Sequence, residues 1–301
     1  MRKKKTMLTI VIIICAVLVV LLAVLIWVMP SLTMTGHRQT LDEAFAWQSD
    51  HYDTSFYGKL EKTPYTVTSD DGYVLHAEML RNPEPSTDYV IISHGYTDNR
   101  MGALKYVPTY LGLGYNCIIY DLRGHGENEP TFTTYGIREG EDLKCMIRDA
   151  RERFSDMTSL GIHGESLGAG TTVTCLKYRP EVDFAVADCG FADIEGVLRH
   201  MYTSNHAPSL LVDLADIGSR LRYHYAIKDM RSIDSLAGNT IPVLFIHGAE
   251  DDFILPENSK AMAAATAGKT DFRTVPGAGH AESVLKDPVL YGEIVREFLG
   301  R

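Results

Sequence analysis

Leu160-Gly161-Ile162-His163-Gly164-Glu165-Ser166-Leu167-Gly168-Ala169-Gly170 is the stretch on which the reading of this chain turns. A short apolar run leads into G-x-S-x-G, and a helix-like segment (Leu167–Tyr178) follows it. A serine exposed on a strained strand-to-helix turn needs small residues two positions before and two after, because neighbouring backbone passes close by. Gly164 and Gly168 meet that need, and Ala169 and Gly170 extend the small surface. Ser166 is therefore a candidate nucleophile. The plainer alternative is a glycine-bounded turn with an ordinary serine, and it has to be weighed against the partners found elsewhere in the chain.

A serine hydroxyl needs a base, and the base needs an orienting carboxylate. Downstream, His247-Gly248-Ala249-Glu250-Asp251-Asp252 follows one apolar run and Gly277-Ala278-Gly279-His280 follows the next. The order Ser166, Asp251, His280 is the one expected for a nucleophile elbow in an open parallel sheet, where strand ends carry the site. Asp252 and Glu250 are rivals to Asp251 for the acid. His94, His163 and His247 sit at strand ends or beside glycine and read as structural groups. Two backbone donors should face the developing oxyanion. One is the N–H of Leu167; the other is expected from His94-Gly95-Tyr96-Thr97-Asp98, with the Tyr96 N–H as donor.

The surrounding pattern fits. Tyr65–Thr68 and Tyr73–Leu80 alternate around Asp71-Gly72, a hairpin signature. Apolar runs at 90–92, 117–120, 160–163, 184–187 and 243–247, with a weaker one at 272–275, read as strands. Between them, 139–154, 167–178, 257–267 and 288–299 have helical character. This alternation predicts an α/β fold with a mainly parallel sheet, helices on both faces and an antiparallel edge. From about Ala192 to Thr240 no strand pattern appears, which predicts a small helical cap over the site.

The first residues are of a different kind. Arg2, Lys3, Lys4 and Lys5 precede an uncharged run from Met7 to Met29. As a helix, that run spans about 34 Å, enough to cross a hydrocarbon core. Its apolar core is too long for a cleaved leader, and no small-residue cleavage site follows it. Ile14 before Cys15 also argues against a lipoprotein anchor. An uncleaved signal anchor (1–34) is expected, then a stalk or docking segment (35–62) and a catalytic domain (63–301). Four basic residues before the helix place the N-terminus in the cytoplasm and the domain outside.

A hydrophobic share of 45% and a charged share of 23% are those of a globular chain, and a net charge of −10 argues against a nucleic-acid surface. Five cysteines without a CxxC pair or Cys/His cluster read as buried free thiols rather than a zinc site.

Taken together, the segments His94-Gly95-Tyr96, Tyr120–Gly126, Gly164–Gly168, His247–Asp251 with Ile254, and Gly279-His280 resemble the α/β-hydrolase superfamily. The closer likeness is to the lipase, esterase and serine-aminopeptidase-like branch found as membrane-anchored hydrolases in Gram-positive bacteria. The resemblance runs from about Tyr65 to Leu299. It implies that Asp251, three residues before Ile254, is the acid and that Asp121–Gly126 is a structural loop. It also implies hydrolysis of a small-molecule acyl substrate without metal or organic cofactor. Ester cleavage leads; thioester or amide cleavage is the near rival, and a silent membrane-tethered binding protein the distant one. The predicted topology has a direct test. Protease added to intact cells is expected to digest the 63–301 domain while a cytoplasmic control survives, and protection of both would refute it.

Overall fold

Strands buried on both faces need apolar side chains at every position, not every second one, and the central runs of this chain have that character. The computed structural model describes residues 2–301. It forms an eight-stranded sheet in the order β1-β2-β4-β3-β5-β6-β7-β8. The strands are β1 (Lys62–Thr68), β2 (Val74–Leu80), β3 (Asp88–Ser93), β4 (Tyr115–Tyr120), β5 (Ser159–Glu165), β6 (Phe184–Asp188), β7 (Val243–Gly248) and β8 (Thr270–Val275). β1 and β2 are antiparallel, and β2 joins β4 antiparallel. The remaining neighbours are parallel. The mainly parallel sheet with an antiparallel edge is as the sequence implies.

The helices are α1 (Arg2–Met34), α2 (Leu41–His51), α3 (Ser55–Lys59), α4 (Val107–Gly112), α5 (Ile137–Arg153), α6 (Leu167–Cys175), α7 (Ile194–Ser204), α8 (Leu210–Tyr223), α9 (Glu257–Ala265), α10 (Ser283–Lys286) and α11 (Pro288–Leu299). Alternate residues of β3 divide the core. Tyr89 and Ile91 join Leu143 and Met146 of α5, Val173 of α6 and Met262 of α9. Val90 and Ile92 join Ala44 of α2, Val107 and Tyr110 of α4, and Tyr291 and Val295 of α11. Helices therefore cover both faces. α4, with the 3-10 turn before it (Gly102–Tyr106), has no counterpart in the sequence reading, and α7 is a helix within the 192–240 stretch read as a helical cap. α4 is only six residues long, too short to show the helical stripe that betrays longer elements.

α1 is long and apolar enough to cross a membrane, and its side chains from Met7 to Val24 lie exposed. It runs past Met29 to Met34, where Met29, Thr33 and Met34 are buried against the domain. The expected burial of all the cysteines fails at one position. Cys15 is exposed on the flank of α1, whereas Cys117, Cys145, Cys175 and Cys189 are buried, and none is paired.

Segment 35–62 is packed on the domain. Arg38 donates to the carbonyls of Gly124, Thr131 (2.7 Å) and Met34 (3.3 Å) and to the Thr133 hydroxyl (2.8 Å). α2 starts with a capping box in which Thr40 and Glu43 satisfy each other's backbone N–H. The Asp121–Gly126 loop receives this segment and is braced from behind. Arg123, only 2% exposed, pairs with the buried Asp142 at 2.5 Å and with Asp71 at 2.9 Å. Removing one partner strands the other charge in the interior. Arg123→Met is expected to destabilise the protein by about 3–5 kcal/mol, and Arg123→Met with Asp142→Leu to recover much of that. Unfolding midpoints in detergent test this; equal losses in both variants would contradict it.

Candidate active site

β3, β5, β7 and β8 run parallel, so the residues just past their C-terminal ends gather along one edge of the sheet. Ser166 follows β5 with φ 51 and ψ −109, a conformation no ordinary side chain adopts without constraint. The constraint is steric. A Cβ on Gly164 would lie 2.0 Å from the Gly168 carbonyl oxygen, and a Cβ on Gly168 would lie 2.1 Å from the Ser93 oxygen. The Ser166 N–H donates to the Asp188 backbone carbonyl at 2.9 Å, pinning the turn to β6.

His280, in the loop after β8, stands with Nε2 2.9 Å from Ser166 Oγ and Nδ1 2.7 Å from Asp251 Oδ2. The Asp251 Oδ1 accepts from the N–H groups of Phe253 (3.0 Å) and Ile254 (2.9 Å). The structure therefore brings Ser166, His280 and Asp251 into one hydrogen-bonded line. The rivals Asp252 and Glu250 are exposed and outside it. In this line the Ser166 hydroxyl donates to Nε2 and the Nδ1–H donates to Asp251, so His280 is poised to accept the serine proton.

A residue that the sequence reading assigned only a structural place stands directly behind the acid. His247 Nε2 lies 2.7 Å from the Ile254 carbonyl and 3.1 Å from Asp251 Oδ2. Its Nδ1 faces the Ser259 hydroxyl at 2.7 Å. The carbonyl can only accept, so Nε2 carries the proton and Asp251 gains another donor. Burial works against the Asp251 charge, but hydrogen bonds from His247 and His280 and from the Ile254 N–H outweigh it. They hold its carboxyl well below the usual carboxylate range.

The loop after β3 lies beside the serine: a Cβ on Gly95 would be 3.8 Å from that of Ser166. His94 fixes this loop. Its Nδ1–H donates to the Gly95 carbonyl (2.7 Å) and its Nε2 accepts from the Leu122 N–H (2.9 Å). Burial pushes its pKa down to about 3, so it stays neutral in that role. Tyr96 borders the same space as Ser166, and its N–H has no hydrogen-bond acceptor among the described residues. Leu167 opens α6 next to the serine, with its N–H at the free end of the helix.

Beneath the turn lies a cluster that the sequence reading missed. Lys105 pairs with Glu165 at 2.5 Å and donates to the Ala281 carbonyl at 3.0 Å. Tyr106 donates to Glu165 (2.6 Å) and Asp188 (3.1 Å), and Ser283 donates to Asp188 (3.2 Å). Burial and the neighbouring Glu165 charge raise Asp188 to about 6. The cluster ties the residue before Ser166 to the residue after His280. Only a basic residue inside an apolar segment, Lys105, hinted at it.

The model of the prolyl oligopeptidase family matches residues 102–289, which include Ser166, Asp251 and His280. The chain belongs to the prolyl oligopeptidase family. Among its relatives, YqkD of Bacillus subtilis is 32% identical over 250 residues, 81% of each chain. YfhR of Salmonella typhimurium is 25% identical over 77% of this chain and 79% of its own. Among solved structures, the Pyrococcus furiosus esterase Pf2001 superposes with a TM-score of 0.68 at 23% identity, covering 83% of this chain and 94% of its own. Est1E of Butyrivibrio proteoclasticus, solved with ferulic acid bound, gives 0.63 at 19% identity over 78% and 97%. The fold is that of the α/β-hydrolases.

The lowered Asp251 pKa carries a stability signature. Its contribution is complete above the unfolded carboxyl value near 4 and is lost as pH falls through the lower folded value. The gap in unfolding midpoint between wild type and Asp251→Asn is expected to be flat near neutrality and to narrow below about pH 4. A gap that widened with acid would be inconsistent with the buried, ionised carboxylate.

Proposed function

We propose that this protein is a membrane-anchored serine hydrolase that cleaves carboxylic esters through an acyl-enzyme. The observation that carries the reading is the unbroken line from Ser166 Oγ through His280 to Asp251, at 2.9 and 2.7 Å. Ser166 Oγ attacks the ester carbonyl carbon as its proton passes to His280 Nε2. The oxygen takes up the carbonyl electron pair opposite the N–H groups of Tyr96 and Leu167. The C–O bond to the alcohol then breaks as His280 returns the proton to the departing oxygen. Water repeats the sequence on the acyl-serine and releases the acid. Asp251 holds the imidazole tautomer and offsets its positive charge. α1 serves as an uncleaved signal anchor in the cell membrane, with its basic end cytoplasmic and the 63–301 domain outside. α7 and α8, within 192–240, form the cap.

The family match favours a second reading, cleavage of an amide in a small peptide by the same groups. A panel of p-nitrophenyl esters, acyl thioesters and aminoacyl amides separates the two. A fluorophosphonate probe is expected to label wild type and not Ser166→Ala, which should lose at least about 10⁴-fold in kcat. Wild type that neither labels nor turns over any ester would overturn the reading.

A further inference from the structure

Two cavities meet at Ser166. One, of about 660 Å³, has a mixed lining in which Asp98, Lys105, Glu165, His280 and Glu282 stand among Trp47, Phe253 and Leu285. The other, of about 180 Å³, is apolar and is walled by Leu167, Phe191, Val197, Leu198 and Met201. His280 borders only the first and Leu167 only the second. The alcohol that leaves must take its proton from His280, so it lies in the larger cavity, which carries the charged groups. The acyl chain therefore occupies the apolar one.

The outer wall of that apolar cavity comes from α1. Leu32 and Thr33 line it, and Leu32, 64% exposed, stands at its mouth. The same end of α1 is locked to α8. A Cβ on Gly218 would lie 1.9 Å from the Ile26 carbonyl oxygen and 2.5 Å from Pro30 Cγ, so the two helices meet backbone to backbone. Arg222 Nη1 donates to the Trp27 carbonyl (2.6 Å) and the Ser31 hydroxyl (2.5 Å), with its guanidinium 4.7 Å from the Trp27 ring centre. Trp27 stands near the end of the apolar run of α1, where an aromatic at the membrane interface is expected. α8 is held at that depth. Its free side carries Leu210, Ile217 and Leu221, spaced seven and four apart on one face and 61%, 44% and 66% exposed. α1, against which α8 packs, also carries exposed apolar side chains, among them Leu21, Val24, Leu25 and Val28.

We propose that the substrate is an ester lipid resident in the bilayer, reached because α8 seats its Leu210, Ile217 and Leu221 face in the lipid interface. The acyl chain then enters past Leu32 without crossing water. This rests on the ester-hydrolase reading above and adds the source and class of the ester.

The test uses the full chain reconstituted in vesicles of non-hydrolysable diether phospholipid. The probes are diacylglycerol and diacyl phosphatidylglycerol in the bilayer, and p-nitrophenyl butyrate in solution. Wild type is expected to release fatty acid from a bilayer ester. Ile217→Ser with Leu221→Ser is expected to keep butyrate turnover within about twofold and to lose at least about tenfold on the bilayer ester. Wild type that cleaves butyrate but neither bilayer ester overturns this inference and leaves the hydrolase reading standing. Wild type that cleaves nothing and fails to label with fluorophosphonate overturns both. An α8 variant that matches wild type on vesicles also refutes the seating, and if it loses self-association the face belongs to a second copy of the chain.

Discussion

Three backbones share the space under Ser166: the end of β3 at Ser93, the end of β5 at Gly164, and the first turn of α6 at Gly168. They approach so closely that a single methyl group at either glycine would meet a carbonyl oxygen. Ser166 is forced to a positive φ by that contact, and its side chain is thereby aimed out of the sheet. The contact also sets the separation between the β3 loop, which carries Tyr96, and the serine. Everything at the site inherits this spacing. The pairing Ser93↔Gly164 at the ends of β3 and β5 is the same constraint expressed as strand register.

How much of this was legible in the sequence follows from how local each cause is. The elbow could be read because its requirement, small residues at fixed offsets, is written within five positions. Asp251 and His280 could be read because each follows an apolar strand, and strand ends converge in a parallel sheet. The short α4 could not, because six residues are too few to show a periodicity. α7 does carry one, with Ile194, Val197 and Leu198 buried on one face, but it lies in a stretch legible only as a helical cap. The roles of His247 and Lys105 were hidden for another reason. His247 lies at the end of β7, four residues before Asp251, and the turn between them brings the carboxylate back onto it, while Lys105 meets Glu165 across 60 positions of chain. Neither contact has a signature in spacing.

The buried charges share one design. Asp251, Glu165, Asp188 and Asp142 all lie out of water, where a lone carboxylate is costly, and each is held by donors from a different segment. Because His280, Lys105, Tyr106, Ser283 and Arg123 reach these carboxylates from elsewhere in the chain, the groups act as fasteners between loops. Lys105 and Ser283 join the 3-10 turn after β3 to the His280 loop, and Arg123 joins the β4 loop to α5 and to the opening hairpin. The site therefore rests on a polar layer that links loops, above a sheet that links strands.

The last turn of α1 ends in carbonyls that the domain itself satisfies. Tyr96 donates its hydroxyl to Thr33 at 3.1 Å, Tyr135 donates to the same oxygen, and the Thr133 N–H donates to Met34 at 2.8 Å. Tyr96 also lines both cavities that meet at Ser166. A leader peptide can be discarded once its chain has been exported, because nothing downstream depends on it. Here a cut near Thr35 would strip the acceptor from two tyrosines and open one side of the apolar cavity. A form trimmed at that point would lack Leu32 and Thr33, and with them part of the wall beside its own nucleophile.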